Sequence, residues 1–191
     1  MGRWEPGASE RLRKAALELY ATKGFEETTV AEIAGAVGLT ERTFFRYFAD
    51  KREVIFAGEE LFQQMFVSGI ADGPKDAAPL EIVASAVMAA TDFFSDERRA
   101  YSRQRQSVIA ANPGLQEREL LKLASLGTAL AAALRERGVP EPSATLSAQS
   151  GVTVFHVAFQ QWIADGEERS LVDIEREVFG ELTALTAAVQ P

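Results

Sequence analysis

The sequence predicts an all-α protein in two parts, and three observations carry that prediction. Apolar residues recur at spacings of three and four along nearly all of the 191 residues, the period of a buried helix face. No stretch shows the strict alternation of a half-buried strand. Gly, Pro and Asp collect in short breaks, chief among them ADGPKDAAP at 71–79, which punctuate the helical pattern as loops do. The expected count is nine helices. Residues 1–52 read as an arm and a three-helix head, and residues 53–191 as a larger helical domain.

Residues 1–8 carry Gly and Pro without period and read as a disordered arm. Arg3 could reach a phosphate or a minor groove from there, although a frayed terminus without a role is the simpler reading. Residues 9–23 form the first helix, with Leu12, Ala16, Leu19 and Tyr20 on one face. Lys23 and Gly24 close it with a cation near the C-terminal dipole and a glycine stop. Phe25 is expected to pack under that end. Thr29 and Glu32 have the spacing of a capping box. Val30, Ile33, Ala34 and Val37 then mark a second helix, stopped by Gly38. Leu39 is expected as a buried turn residue. Thr40 can cap a third helix, whose Phe44, Phe45 and Phe48 are expected in the core. Arg42, Thr43, Arg46 and Tyr47 remain for its outer surface. Two short helices around a glycine turn, the second polar and basic outside, make a helix-turn-helix candidate.

A fourth helix is expected from Asp50-Lys51 to about Ile70, spanning ~30 Å. Further helices are expected over residues 80–95, 97–111, 115–137 and 143–164. The last is expected to begin at Ser170 and Asp173, another capping pattern, and to run to about Val189.

Composition excludes several classes. Hydrophobic residues make up 47% and charged residues 25% of the chain, the balance of a soluble globular protein. No apolar run approaches the about 20 residues that cross a bilayer, and the N-terminus lacks the apolar core of a signal peptide. Cysteine is absent, which removes disulfides and thiolate chemistry. These features point to the cytoplasm and away from a membrane. Net charge is −8, yet residues 1–52 are net +1 and residues 53–191 net −9. The acid therefore sits outside the proposed head, where it could repel non-specific DNA or simply be solvated surface. No nucleophile stands beside a histidine, no glycine-rich phosphate loop is present and no ligand set has metal spacing. Neither an enzyme nor a cofactor is expected. His156 is the sole histidine, either a core or interface residue or a polar group in a ligand cavity.

The spaced residues Thr29, Ile33, Ala34, Gly38, Leu39, Thr40, Thr43, Phe45, Tyr47, Phe48 and Lys51 resemble the DNA-binding signature of TetR-type (tetracycline-repressor-like) regulators, over residues 9–56. The segment RRAYSRQRQSVIAANPGLQERELLKL is similar to the C-terminal regulatory domain of mycofactocin-system-type regulators. The resemblance implies a homodimer with a helix-turn-helix head and a C-terminal ligand-binding and dimerisation domain. It implies double-stranded DNA as partner, a palindromic operator, and repression relieved by a small-molecule effector, with an acyl-CoA suggested by the subfamily. A helical ligand-binding or interaction protein without specific DNA binding is the alternative.

The expected DNA-binding residues are Thr29, Thr40, Arg42, Thr43, Arg46, Tyr47 and Lys51. Arg42, in the first turn of the recognition helix, can bond guanine O6 and N7, or pair with Glu41 or Asp50 at the surface. Thr43 fits a phosphate or a thymine methyl. Tyr47 and Lys51 match family positions that hold phosphates, contacts that position without reading sequence. Thr29 offers its hydroxyl and a helix N-terminus, or serves as a plain cap. Arg46 is divided between backbone and bases. The expected ligand pocket comprises Met65, Met88, Phe93, Phe94, Arg103, Val108, Phe155, His156, Phe159 and Trp162. Arg98, Arg99, Arg103 and Arg105 are the densest positive charge outside the head. They read as solvated or salt-bridged surface, or more sharply as a cradle for an anionic ligand such as a coenzyme-A thioester.

Overall fold

Capping and packing place each helix in the computed structural model, which describes residues 7–187 apart from the side chains of Asp92 and Phe93. The arm with Arg3 and the expected end at Val189 lie outside the described residues, as does the Phe93 side chain. Among the described residues there are nine α-helices and no strand. They are α1 (Ala8–Thr22), α2 (Val30–Ala36), α3 (Glu41–Tyr47), α4 (Glu59–Asp72), α5 (Pro79–Ala89), α6 (Arg99–Ala110), α7 (Pro113–Glu136), α8 (Ser143–Trp162) and α9 (Leu171–Ala187). Short 3-10 helices at Ala90–Phe93 and Asp96–Arg98 separate α5 from α6.

The fourth helix departs from expectation. Residues 51–58 form turns, and α4 starts only at Glu59. Two local causes act together. The Asp50 carboxylate accepts hydrogen bonds from the backbone N–H groups of Arg52 and Glu53, at 2.7 and 3.1 Å, holding a tight turn. Gly58 then adopts φ +95°, which no continuing helix allows. At 14 residues the helix spans about 21 Å.

The chain divides into two compact units. The first takes the chain up to Glu59 together with Gln104–Glu119, and the second takes Glu60–Arg103 with Leu120 onward. In the first unit, Leu12, Ala16, Leu17 and Tyr20 of α1, Ile33 and Ala34 of α2, and Phe44 of α3 are buried. The segment 104–119 is tied to the turns after α3. Arg105 Nε donates to the Ile55 carbonyl at 3.0 Å and its guanidinium lies 5.1 Å from the Phe56 ring centroid. Arg118 Nε meets Glu53 at 2.7 Å.

In the second unit, α8 packs on α5 and α9. Gly151 permits the approach to α5: a Cβ there would stand 2.1 Å from Val83 Cγ1. The core takes Val83 and Val87 from α5, Phe155 and Trp162 from α8, and Leu171 and Phe179 from α9. Arg137 closes α4 by donating to the carbonyls of Ile70, Ala71, Gly73 and Pro74 at 2.6–2.9 Å, satisfying acceptors left open at a helix end.

Glu175 is anomalous within this core. It is fully buried, and neither carboxyl oxygen has a hydrogen-bond partner among the described residues. Burial raises its carboxyl from 4.5 to about 8, because a dry surrounding disfavours the charged form. The unfolded chain releases this proton in the ordinary carboxyl range, whereas the fold retains it to about pH 8. The native state therefore binds the extra proton, and stability falls as pH rises from about 5 to about 8. Glu175→Gln is expected to flatten that fall and to raise the melting temperature at pH 8 by several degrees, measured by circular dichroism across the pH series.

Candidate nucleic-acid interface

Thr29 precedes α2 and closes the expected capping box. Its Oγ1 accepts from the Glu32 backbone N–H at 3.2 Å, and its own N–H donates to the Glu32 carboxylate at 2.9 Å. The Thr29 hydroxyl also donates to that carboxylate, which pairs in turn with Lys23. The Lys23 ammonium, then the Thr29 donors, hold the Glu32 carboxyl at about 2. Gly38 turns the chain at φ +70°, and the Leu39 N–H bonds the Ala34 carbonyl at 2.9 Å. Leu39 itself is half-buried. Thr40 caps α3, its Oγ1 accepting from the Thr43 N–H at 3.2 Å and lying 3.1 Å from the Thr43 hydroxyl.

Helix α3 has only seven residues, and its orientation follows from what it buries. Phe44 is 0% exposed and Phe48 6% exposed, and their rings meet at 5.2 Å. With 100° between successive residues, Arg42, Thr43 and Arg46 fall on the side away from Phe44. Arg42 and Arg46 are exposed and Thr43 is half-buried. Arg42 has no hydrogen bond or ion pair among the described residues, so the alternative pairing with Glu41 or Asp50 is not formed there. Asp50 is taken by Arg52 at 2.7 Å. The Arg46 guanidinium lies 5.1 Å from the Tyr47 ring centroid and donates to the Tyr47 hydroxyl at 3.3 Å. The structure thus brings Thr40, Arg42, Thr43, Arg46 and Tyr47 onto one short helix and its cap. Thr29 is exposed at the start of α2.

Two side chains are placed differently from expectation. Phe45 is 53% exposed, because a helix of this length turns only one stripe inward; Phe44 takes it and Phe48 is buried at the extended C-cap. A helical projection alone separates the three phenylalanines. Lys51 is directed into the head. Its ammonium donates to the carbonyls of Phe25, Glu26 and Thr28 at 2.9, 3.1 and 3.3 Å and stands 4.4 Å from the Phe25 ring centroid. Its backbone carbonyl accepts from the buried Tyr20 hydroxyl at 2.5 Å. Burial, then the nearby Asp50, pushes that phenol well above its usual range. Lys51 therefore holds the loop after α1 against the turn after α3. A phosphate would have to compete for an ammonium already shared by three acceptors.

The expected ligand residues separate into several groups. Phe94, Phe155, Phe159 and Trp162 form one aromatic cluster, with Phe94 ring centroids 5.4–6.0 Å from the other three. Phe62 and Phe66 join it, Phe62 lying 5.2 Å from both Phe94 and Phe155. Both were legible as one helix face with Met65 but were absent from the expected set. Met65 packs on the same core. Met88 and His156 are half-buried on α5 and α8. Val108 is buried and belongs to the first unit.

Three of the arginines bond backbone carbonyls at a helix end, a loop and a turn. Arg103 donates to the carbonyls of Ile163 and Ala164, at 2.7 and 3.0 Å, and pairs with Asp165. Arg99 donates to the carbonyls of Glu167 and Arg169 and pairs with Asp96. Its guanidinium lies 5.2 Å from the Trp162 ring centroid. Arg105 is engaged by Ile55 and Glu119. Arg99, Arg103 and Arg105 are thus each engaged with backbone carbonyls and a carboxylate.

A three-helix head that turns a short basic helix outward defines a helix-turn-helix regulator. Residues 12–57 match the family of bacterial regulatory proteins, tetR family, and residues 77–187 match the MftR C-terminal domain. The chain belongs to the TetR family of transcriptional regulators, in the branch with an MftR-type C-terminal domain. It is 25% identical to the regulator MftR of Mycobacterium tuberculosis over 168 residues, 86% of this chain and 84% of that one. It is 38% identical to the regulator TcmR of Streptomyces glaucescens over 80 residues, which span 42% of this chain and only 35% of TcmR. In fold it is similar to the regulator FadR of Bacillus subtilis in complex with stearoyl-CoA, with TM-score 0.59, 18% identity, and 91% and 96% of the two chains covered. It is also similar to Thermus thermophilus FadR in complex with lauroyl-CoA, with TM-score 0.52, 23% identity, and 92% and 93% covered. The family assignment makes this chain a regulator and not an enzyme. No helix among the described residues is long and apolar enough to cross a membrane.

Removing the Lys51 ammonium with Lys51→Met keeps the stem over Phe25 and deletes its hydrogen bonds, and is expected to cost about 1–2 kcal/mol. Arg42→Ala, at an exposed site without partners among the described residues, is expected to stay within about 0.5 kcal/mol of the parent. Urea unfolding followed by circular dichroism distinguishes the two.

Proposed function

We propose that this chain is a cytoplasmic homodimeric repressor that places α3 of each head in a major groove of a palindromic operator and leaves it when a small apolar molecule binds the C-terminal domain. The outward face of α3, held by the buried Phe44 and Phe48, carries this reading. In it, Arg42 makes the guanine contact, worth about 1–3 kcal/mol of discrimination. Arg46 and Thr43 supply further base or backbone contacts, and Thr29, Thr40 and Tyr47 fix the head on phosphates. Lys51 acts by keeping the head in shape. Exposed Leu146 and Val157 on α8 and Leu185 on α9 support pairing of two copies, since a monomer rarely leaves such residues in water as a group. Two heads must then meet half-sites one or more turns apart, ~34 Å per turn.

The aromatic cluster around Phe94 and Phe155 supports an apolar effector, as small-molecule sites are mostly apolar with few polar groups. Acyl-CoA is the class held by the two FadR neighbours. For this chain the acyl tail finds support in the aromatic cluster. The phosphates find less, because Arg99, Arg103 and Arg105 are engaged elsewhere. Any effector must bind the DNA-free arrangement more tightly than the DNA-bound one, or it shifts nothing.

Fluorescence anisotropy with a selected duplex tests the DNA reading. Affinity is expected to fall steeply with salt, with a slope of log K against log salt of about −4 if each head neutralises two phosphates. Substituting Arg42→Ala with Tyr47→Ala should abolish specific binding while circular dichroism stays unchanged; retained binding overturns the assignment. Sedimentation should give a dimer at micromolar concentration, and a monomer there overturns the pairing. Lauroyl-CoA should release the DNA where coenzyme A alone does not; release by neither removes acyl-CoA as the effector class.

A further inference from the structure

Seven large apolar side chains stand exposed among the described residues, and six of them, Leu61, Leu120, Leu121, Leu146, Val157 and Leu185, fall in the second unit. Phe45 alone falls in the head, and it sits on the recognition helix. Its position there is specific. It lies three residues after Arg42 and one before Arg46, so Arg42, Phe45 and Arg46 form adjacent positions on the outward half of α3. Its ring meets that of the buried Phe44 edge-on, with centroids 5.5 Å apart at 84°. That contact gives an exposed aromatic a fixed support, while about half of its surface remains open to solvent.

The surroundings of Phe45 choose its occupant. Two arginines flank it, Arg42 without a partner among the described residues and Arg46 resting on Tyr47. An apolar protein surface would have to strip water from both guanidiniums to reach the ring, which is costly unless they are paired. A DNA major groove satisfies the guanidiniums with base edges and phosphates. The one apolar group that the groove offers is the C5-methyl of thymine.

We propose that Phe45 is a specificity residue that reads a thymine by packing its ring on the C5-methyl group, beside the base contacted by Arg42. The inference rests on the DNA reading above and adds to it the identity of one base and the atom recognised. Sequence preference at this position then comes from apolar contact rather than from hydrogen bonding. It should be insensitive to salt, unlike the phosphate contacts.

Selecting duplexes from a random library with the full-length protein supplies the site. Each thymine in it is then replaced singly by deoxyuridine, which removes only the methyl group. At one thymine in each half-site the unsubstituted protein should lose about fourfold in affinity, the factor for one buried methyl-sized group. The loss should be the same at low and high salt. Phe45→Ala should bind the thymine duplex more weakly and lose nothing further on replacement by deoxyuridine. Phe45→Leu, still apolar, should recover part of the discrimination. Deoxyuridine without effect at every position overturns the inference with no variant involved. An equal loss in Phe45→Ala overturns it too, as does a change of oligomeric state in that variant with thymine discrimination intact, which assigns the ring to a protein contact. If no duplex is selected at all, the DNA reading itself fails and this inference with it, an outcome distinct from the others.

Discussion

Burial of Phe44 on one side of a seven-residue helix, and of Phe48 at its C-cap, is the constraint on which the head depends. A helix this short does not persist alone in water, because nucleation is costly and too few bonds follow it. Here it is held at both ends and along one stripe. Thr40 satisfies its first turn, the Gly38 turn delivers the chain at the required angle, and the two rings are buried. The direction in which Arg42 and Arg46 point is thus a consequence of core packing. On the proposed reading, loosening the Phe44 site would re-aim the arginines without touching them, and binding would be lost through geometry before it was lost through chemistry.

A second constraint recurs across both units: cations placed where backbone carbonyls run out of partners. Lys51 serves the loop after α1, Arg137 the end of α4, Arg103 the end of α8, and Arg99 the loop that follows it. Each position has several carbonyls that no helical N–H reaches, and a guanidinium or ammonium can serve two to four at once. Arginines that cluster in the sequence are thereby spread over separate carbonyl groups in the fold. Residues 98, 99, 103 and 105 are close in sequence, but Arg99, Arg103 and Arg105 each answer to a different stretch of distant backbone.

That difference marks what was legible beforehand. The capping box at Thr29 and Glu32, the stop at Gly38 and the cap at Thr40 are local chemistry, fixed by residues within four positions of each other, and the sequence displays them. The amphipathic period likewise reveals the nine helices. The missed start of α4 was also local: Asp50 and Gly58 both signal a turn, but the apolar residues Val54 and Ile55 mimic a helix face across it. The fates of Lys51 and Arg103 were not legible, because their partners lie 23–26 and 60–61 residues away. Phe45 stands between these cases. Its neighbours made it look like core, and only the number of rings that one short stripe can hold shows that it must face outward.

An acidic protein has little free positive charge with which to hold DNA. Lys23 is paired with Glu32, Arg52 with Asp50, and Lys51 is shared among carbonyls. The free positive charge on the reading surface is thus smaller than the nine basic residues of positions 1–52 suggest. Few phosphate contacts per head mean weak binding by one head, and useful affinity then requires both heads at once. Linking two weak sites can strengthen binding by about 10²–10⁴ without any new contact, and the gain disappears when geometry forbids simultaneous engagement. On the proposed reading, an effector therefore has no need to disturb Arg42 or any other contact residue. A change in the separation of the heads is enough, and a sparsely charged head makes that change decisive, since one head alone leaves too little attraction to keep the protein on its site.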